Sequence, residues 1–258
     1  MTHATPRTPG TFILTPGHVI LTSPLADGWL TSSMRKDGGV RLDHVSYAAG
    51  PEGLAAAVQR IGATLGAGLT DGGLHPGFGT RNFVLPLAGR TYLEVVATLD
   101  HPAVDKAPFG RAVARRAAAG GGWLAWVIAV EDITVIERRL GRSAAPGHRA
   151  RPDGVDLRWR QIGVLDVMED PQRPFFVAWE TEPAYHPSTG ASGEIRIERL
   201  EIAGDPDTVR AWLPDPQHEP VEVLEGVGVD WLSPEANEGV TGLVAVQFRT
   251  PRGLVRLE

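Results

Sequence analysis

A chain of 258 residues, 42% hydrophobic and 22% charged, has the composition of a soluble globular protein with apolar material for one large core or two small ones. It has no cysteine, which excludes disulfides, thiolate nucleophiles, iron-sulfur clusters and cysteine zinc sites, leaves His, Asp and Glu to hold any metal, and fits a cytoplasmic location. A formal charge of -6 gives no general attraction to phosphate backbones or anionic bilayers, so neither nucleic acid nor membrane is expected as a partner.

Residues 1–39 are rich in Thr, Pro and Gly. Their apolar run from Thr11 to Leu21 is interrupted by Pro16 and Gly17, so it forms neither a membrane span nor an unbroken signal-peptide core. A flexible extension is expected here, the alternative being an arm packed through Phe12, Ile13, Leu14, Val19 and Ile20. Met34 directly precedes the first good strand, so translation starting at Met1 or at Met34 both remain open.

From Arg41 onward the chain repeats a pattern of strand, polar break and amphipathic helix. The strands begin at Leu42-Asp43-His44-Val45, Leu124-Ala125-Trp126-Val127 and Ile197-Glu198-Arg199-Leu200. Leu54, Val58, Ile61 and Leu65 mark one helical face in the first unit, Ile133, Ile136 and Leu140 in the second, and Val209, Trp212 and Leu213 in the third. Asp205-Pro206 reads as an N-cap followed by proline at the first helical position, and Gly62 and Gly141 as helix stops.

More strand-like sequence follows each helix, making the unit strand-helix-three-strand. In the first unit, Arg81 to Leu87 and Thr91 to Ala97 flank a hairpin turn. In the second, Asp156 to Leu165 and Phe175 to Glu180 flank a longer turn from Met168 to Pro174. In the third, the hairpin around Pro251-Arg252-Gly253 superposes on that of the first, which sets Glu258 opposite Glu94. The organisation expected is therefore an extension over 1–39, paired units over 40–190 (about 41–98 and 122–181, joined by a helix over about 108–119), and a third, partial unit over 191–258. One unit alone leaves a bare sheet face, so units must pair.

His44 in the first strand and Glu94 in the last strand of unit one form the candidate centre. A carboxylate among Tyr92, Leu93, Val95 and Val96 needs a metal, a cation or a proton, because an unpaired buried charge costs several kcal/mol, on the order of 3–5. The plain readings are a hydrogen-bonded core histidine and a salt bridge to Arg41 or Arg90. His75 to Asn82 is glycine-punctuated and reads as a rim segment whose His75, Thr80 and Asn82 contact substrate, or as a self-satisfied turn. The Gly62 to Gly68 stretch lacks the lysine of a phosphate loop.

The repeated unit opening with Leu42-Asp43-His44-Val45, the segment His75 to Asn82, Tyr92-Leu93-Glu94, Pro174 to Trp179 and His186-Pro187 together resemble the glyoxalase-like group of the vicinal oxygen chelate superfamily. That resemblance implies an α+β fold in which paired βαβββ units form a half-open, mixed-sheet barrel. It implies a divalent metal (Fe, Mn, Ni, Zn or Co) held by a His or Glu from the first and last strand of each unit. Carried over by position, the metal set is His44, Glu94 and Glu180, with Glu94 and Glu180 as the catalytic carboxylates; His75, or else His186, is the candidate to replace the missing ligand. Trp126 stands where the second unit has lost its ligand, and Arg199 where the third has. Trp126, Phe176, Trp179 and His186 join His75, Thr80 and Asn82 as substrate contacts. Three readings follow. One is a metal-dependent lyase, isomerase or dioxygenase on a small oxygen-rich or aromatic metabolite. Another is a metal-free small-molecule-binding, drug-sequestering protein of the same fold. In the last, the third unit mediates pairing with a second copy of the chain.

Overall fold

The first repeat unit is laid down by β1 (Arg41–Ala48), α1 (Leu54–Leu65), β2 (Thr70–His75), β3 (Thr80–Leu87) and β4 (Thr91–Thr98) in a computed structural model that describes residues 41–214, Leu224 and 226–258. The extension over 1–39, with its apolar run and the two candidate start residues, lies outside the described residues. α1 does not stop at Gly62. It continues to Leu65 and ends at Gly66, whose φ of 74° supplies the left-handed turn that returns its N–H to Gly62 O. α2 (Ala103–Lys106) and α3 (Pro108–Ala118) then carry the chain to the second unit, with a proline opening α3.

The second unit comprises β5 (Gly122–Ala129), α4 (Ile133–Leu140), β6 (Ala145–Ala150), β7 (Asp156–Ile162), α5 (Val164–Glu169) and β8 (Phe175–Trp179). Asp132 caps α4 by accepting from Thr134 N, and Gly141 ends it at φ 64°. α5 replaces part of the expected strand and turn: after Gly163 the run Val164 to Glu169 turns helical and buries Val164 and Val167.

The strands close in the order β1-β4-β3-β2-β6-β7-β8-β5. β1 runs parallel to β4 and antiparallel to β5, and β5 parallel to β8. The sheet is mixed and the fold α+β, as the repeats imply. Closure is tightest at β1–β5, while the opposite seam between β2 and β6 pairs at Leu74 and Ala150. Gly73 makes that approach feasible. Its φ of 108° marks a bulge in β2, and a side chain there would collide with Ala150 O.

The C-terminal part contains β9 (Arg196–Ala203), α6 (Pro206–Trp212), β10 (Gly228–Leu232), β11 (Gly242–Thr250) and β12 (Gly253–Leu257). Its strand order, β10-β9-β11-β12, differs from that of the first unit. There the parallel neighbour of β1 is the last strand, β4; here the parallel neighbour of β9 is β10, which among the described residues is the first strand after the helix. β12 pairs with β11, so the hairpin that ends the chain is not the counterpart of β3–β4, and Glu258 is an exposed residue paired with Arg256 rather than the equivalent of Glu94.

Two apolar clusters divide the molecule. One fills the barrel lumen with Val127, Phe109, Trp159, Phe175 and Val177. The other lies outside the barrel wall, where Leu200, Ile202, Val246 and Phe248 of the C-terminal sheet share a core with Val45, Trp126 and Ile128. Trp123 Nε1 donates to Leu257 O at 3.0 Å and Trp212 Nε1 to Pro174 O at 2.8 Å across this junction. Among the described residues no helix is long and apolar enough to cross a membrane.

Candidate active site

Strand alternation alone would aim Asp43 and His44 to opposite faces. The β1–β5 ladder instead slips between Leu42 and His44, and this bulge brings both side chains to the lumen side, while Leu42, Val45 and Tyr47 pack outward. His44 Nδ1–H donates to Asp43 Oδ1 at 2.8 Å, which turns Nε2 toward Glu94, and the ring stacks on Tyr92 with centroids 4.4 Å apart. Asp43, fully buried, also accepts from Trp179 Nε1 and from His186 Nε2, each at 3.1 Å. Burial pushes the Asp43 carboxyl up, but the hydrogen bonds from His186 and His44 outweigh it and hold the group well below the usual aspartate range.

Glu94 lies on β4 beside Ser46 and Tyr92. Its Oε2 accepts from Ser46 Oγ at 2.5 Å and its Oε1 from Asn82 Nδ2 at 2.7 Å. Two imidazoles bracket this carboxylate: His44 Nε2 stands 4.0 Å from Oε2, and His75 Nε2 4.0 Å from Oε1. Burial raises the Glu94 carboxyl, and His44, His75 and the hydrogen bonds from Ser46 and Asn82 more than offset that rise, so it titrates below the usual glutamate value. His75 Nδ1 is hydrogen-bonded to Thr80 Oγ1 at 3.0 Å, and burial lowers the ring to about 4, which keeps it neutral at pH 7. Burial, together with Asp43 and Glu94, raises the Tyr92 hydroxyl.

These groups face a narrow cavity of about 30 Å³. Phe78, Phe109, Phe175, Trp159 and Trp179 wall it, and Arg149 and Gln161 bring polar groups to it. Trp159 crosses the lumen because Gly147 opposite has no side chain to meet its indole, and its Nε1 donates to Gln161 Oε1 at 2.8 Å.

Several expected residues stand elsewhere. His75, Thr80 and Asn82 are not a rim loop: His75 ends β2 and the other two lie on β3, so all three are buried in the barrel wall, and Thr80 and Asn82 hold His75 and Glu94. Trp126 is no cavity wall. Its register partner is Val45, it packs in the outer core, and its Nε1 donates to Gln172 O at 3.0 Å. The lumen residue opposite His44 is Val127. Phe176 likewise faces outward against Trp212, while Phe175 and Val177 face in. Because β5–β8 pairs Val127 with Phe175 as β1–β4 pairs His44 with Tyr92, Val177 is the counterpart of Glu94. Glu180, beyond the end of β8, is exposed and reaches no lumen group. Trp179 lines the cavity, whereas His186 is spent on Asp43 and Ser188. The residues missed were Asp43, Ser46, Tyr92, Arg149, Trp159 and Gln161. A two-residue period from His44 and Glu94 picks out Ser46 and Tyr92, but nothing in sequence marks Arg149 as inward.

The donor chemistry suits a divalent ion: two imidazoles with Nδ1 tied back present Nε2 toward one carboxylate, and Asp43 behind His44 is the outer partner that such ligands use. As placed, however, no three His, Asp or Glu side chains among the described residues form a group that could hold a metal ion.

A paired-unit barrel with a histidine and a glutamate on adjacent strands facing its lumen defines the class. A family model described as a glyoxalase-like domain matches residues 42–216, and the chain belongs to that family, within the vicinal oxygen chelate superfamily. No curated protein matches the sequence. Among solved structures, a hypothetical protein from Staphylococcus aureus is 15% identical and superposes with a TM-score of 0.57, covering 85% of this chain and 99% of its own. Methylmalonyl-CoA epimerase from Mycobacterium tuberculosis is 18% identical with a TM-score of 0.38, covering 55% of this chain and 89% of its own. A single-residue variant of the Streptomyces coelicolor methylmalonyl-CoA epimerase, solved in complex with 2-nitronate-propionyl-CoA, is 16% identical with a TM-score of 0.37, covering 54% of this chain and 95% of its own.

Proposed function

We propose that the protein is a divalent-metal-dependent enzyme of the lyase, isomerase or dioxygenase type acting on a small oxygen-bearing or aromatic metabolite in the barrel lumen. One observation carries this reading: the Glu94 carboxylate, ionised by its surroundings, sits between the Nε2 atoms of His44 and His75 at the end of an aromatic-walled cavity. His44, His75 and Glu94 would hold the ion, which, when bound, supplies Lewis-acid polarisation of substrate oxygens. Asp43 keeps His44 in the tautomer with Nε2 available, and Ser46 and Asn82 fix the carboxylate so that a proton taken up at a Glu94 oxygen is delivered from a defined position. The aromatic walls keep water from that oxygen.

A second reading, a metal-free binding protein of the same fold, draws on Val127 and Val177, which occupy the places where the second unit would supply its half of a ligand set. Thermal melts of chelator-treated, untagged protein with added Mn, Fe, Co, Ni or Zn separate the two. A rise in Tm that disappears in His44→Ala and in Glu94→Gln is expected. No rise with any of the five metals leaves the binding-protein reading in place.

A further inference from the structure

One lumen group takes no part in the centre described above. Among the described residues Arg149 is the only arginine or lysine that is fully buried, with 3% of its surface exposed. It lies on β6, where Gly147 and Arg149 face inward between exposed neighbours, and it lines the cavity that Glu94, His44 and His75 share. Its guanidinium forms no hydrogen bond or ion pair among the described residues, and its Nε is buried without a partner. Arginine stays protonated at neutral pH, and a buried charge left unpaired is strongly unfavourable.

The neighbouring carboxylates are already satisfied: Glu94 by Ser46 and Asn82, and Asp71 by Arg81. Space for the guanidinium is built in as well. Gly72 has an ordinary backbone conformation, yet a Cβ there would run into Asn82 Oδ1 and stand 3.1 Å from Arg149 Nη1. On the cavity wall Gln161 has its Oε1 occupied by Trp159, which leaves its amide N–H groups as donors. The lumen thus offers one unpaired cation, further donors and flat apolar walls, with a carboxylate nearby that would repel a dianion.

We propose that Arg149 is the receptor for a substrate carboxylate, and that the substrate is a small aromatic or unsaturated monocarboxylate whose body lies among Phe78, Phe109, Phe175 and Trp159. This deepens the function proposed above and rests on it for the chemistry, but not for the binding. A bidentate guanidinium–carboxylate pair fixes the orientation of the acid, so its remaining end is presented to Glu94.

The test is calorimetric titration of the full, chelator-treated chain with benzoate, benzyl alcohol and inorganic phosphate, in the wild type, Arg149→Met and Arg149→Lys. Benzoate is expected to bind the wild type, benzyl alcohol about tenfold or more weaker, and Arg149→Met to lose at least about tenfold for benzoate while melting no lower than wild type, since it removes an unpaired charge. Arg149→Lys retains the charge without the fork and is expected between them; it decides the matter if Arg149→Met does not fold. Equal affinity for benzoate and benzyl alcohol, benzoate binding unaffected by either substitution, or phosphate binding through Arg149 in place of benzoate would each overturn the proposal. Because no metal is present, these results stand apart from the metal melts. Benzoate binding with no metal response would fail the enzyme reading alone, and a metal response without benzoate binding would fail this one.

Discussion

Asp43 shows how much a single buried carboxylate can organise. It accepts from His44, His186 and Trp179 and lies 3.5 Å from Arg41, so it joins β1, the end of β8 and the segment beyond it. An asparagine at this position has one acceptor oxygen and turns N–H donors toward the other groups. Asp43→Asn should therefore cost about 3 kcal/mol in urea denaturation, and by releasing the His44 tautomer should weaken any metal response by roughly 10- to 100-fold. A variant as stable as wild type would show that the three donors find other partners. Gly72→Ala acts on the same site from behind: the added methyl displaces the Asn82 amide that holds Glu94. Overpacking of this kind costs about 1–3 kcal/mol, and the expected companion effect is loss of metal stabilisation in the thermal melt.

At the level of the element, the C-terminal sheet turns its apolar face to the outside of the barrel, against Trp126 and Ile128, and its polar face carries a charge cluster. Glu201 on β9 accepts from Arg256 at 2.7 and 2.9 Å and from Gln247 at 2.8 Å, tying β9 to β11 and β12. The Arg256 hydrogen bonds hold the Glu201 carboxyl below its usual value of 4.5. A depressed carboxylate contributes stability that is fully present above the unfolded value and is lost as pH falls through the folded one. Wild type should accordingly lose stability, on the order of 1 kcal/mol, below about pH 4.5 relative to Glu201→Gln, as followed by urea melts at stepped pH. Parallel pH curves for the two chains would show that the cluster contributes nothing to folding.

For the molecule as a whole, the weak line is the seam between β2 and β6. It is paired at Leu74 and Ala150, and the residues next to these in sequence are His75 and Arg149. The two halves of the site therefore flank the place where the barrel opens most readily. Amide exchange at Leu74 and Ala150 is expected to be faster than at Val45 or Val127, and to slow when benzoate is bound, because a ligand held by Arg149 against the β2–β4 side bridges the seam. Uniform protection around the barrel, unchanged by ligand, would contradict this.

The repeat, its strand-helix-three-strand order and the inward pairing of His44 with Glu94 were legible in the residues because helical spacing, caps and a carboxylate in an apolar strand are local signals. Facing was not. Leu124 to Val130 is apolar throughout, so nothing in it distinguishes Trp126 from Val127, and the Phe175-Phe176 pair is equally silent. The bulge at Asp43 reset the phase of β1 and gave the site its second carboxylate, and only the pairing with β5 reveals it. The C-terminal hairpin matched that of the first unit in composition, yet β10 took the place beside β9. The sequence by itself determined the strand-helix alternation of the first two units, though not α5 or the strand ends at His75 and Thr80, and that a buried acid needed partners. The tertiary structure decided which side chains share the lumen, since a one-residue change of register reverses a strand's faces and no local pattern records it.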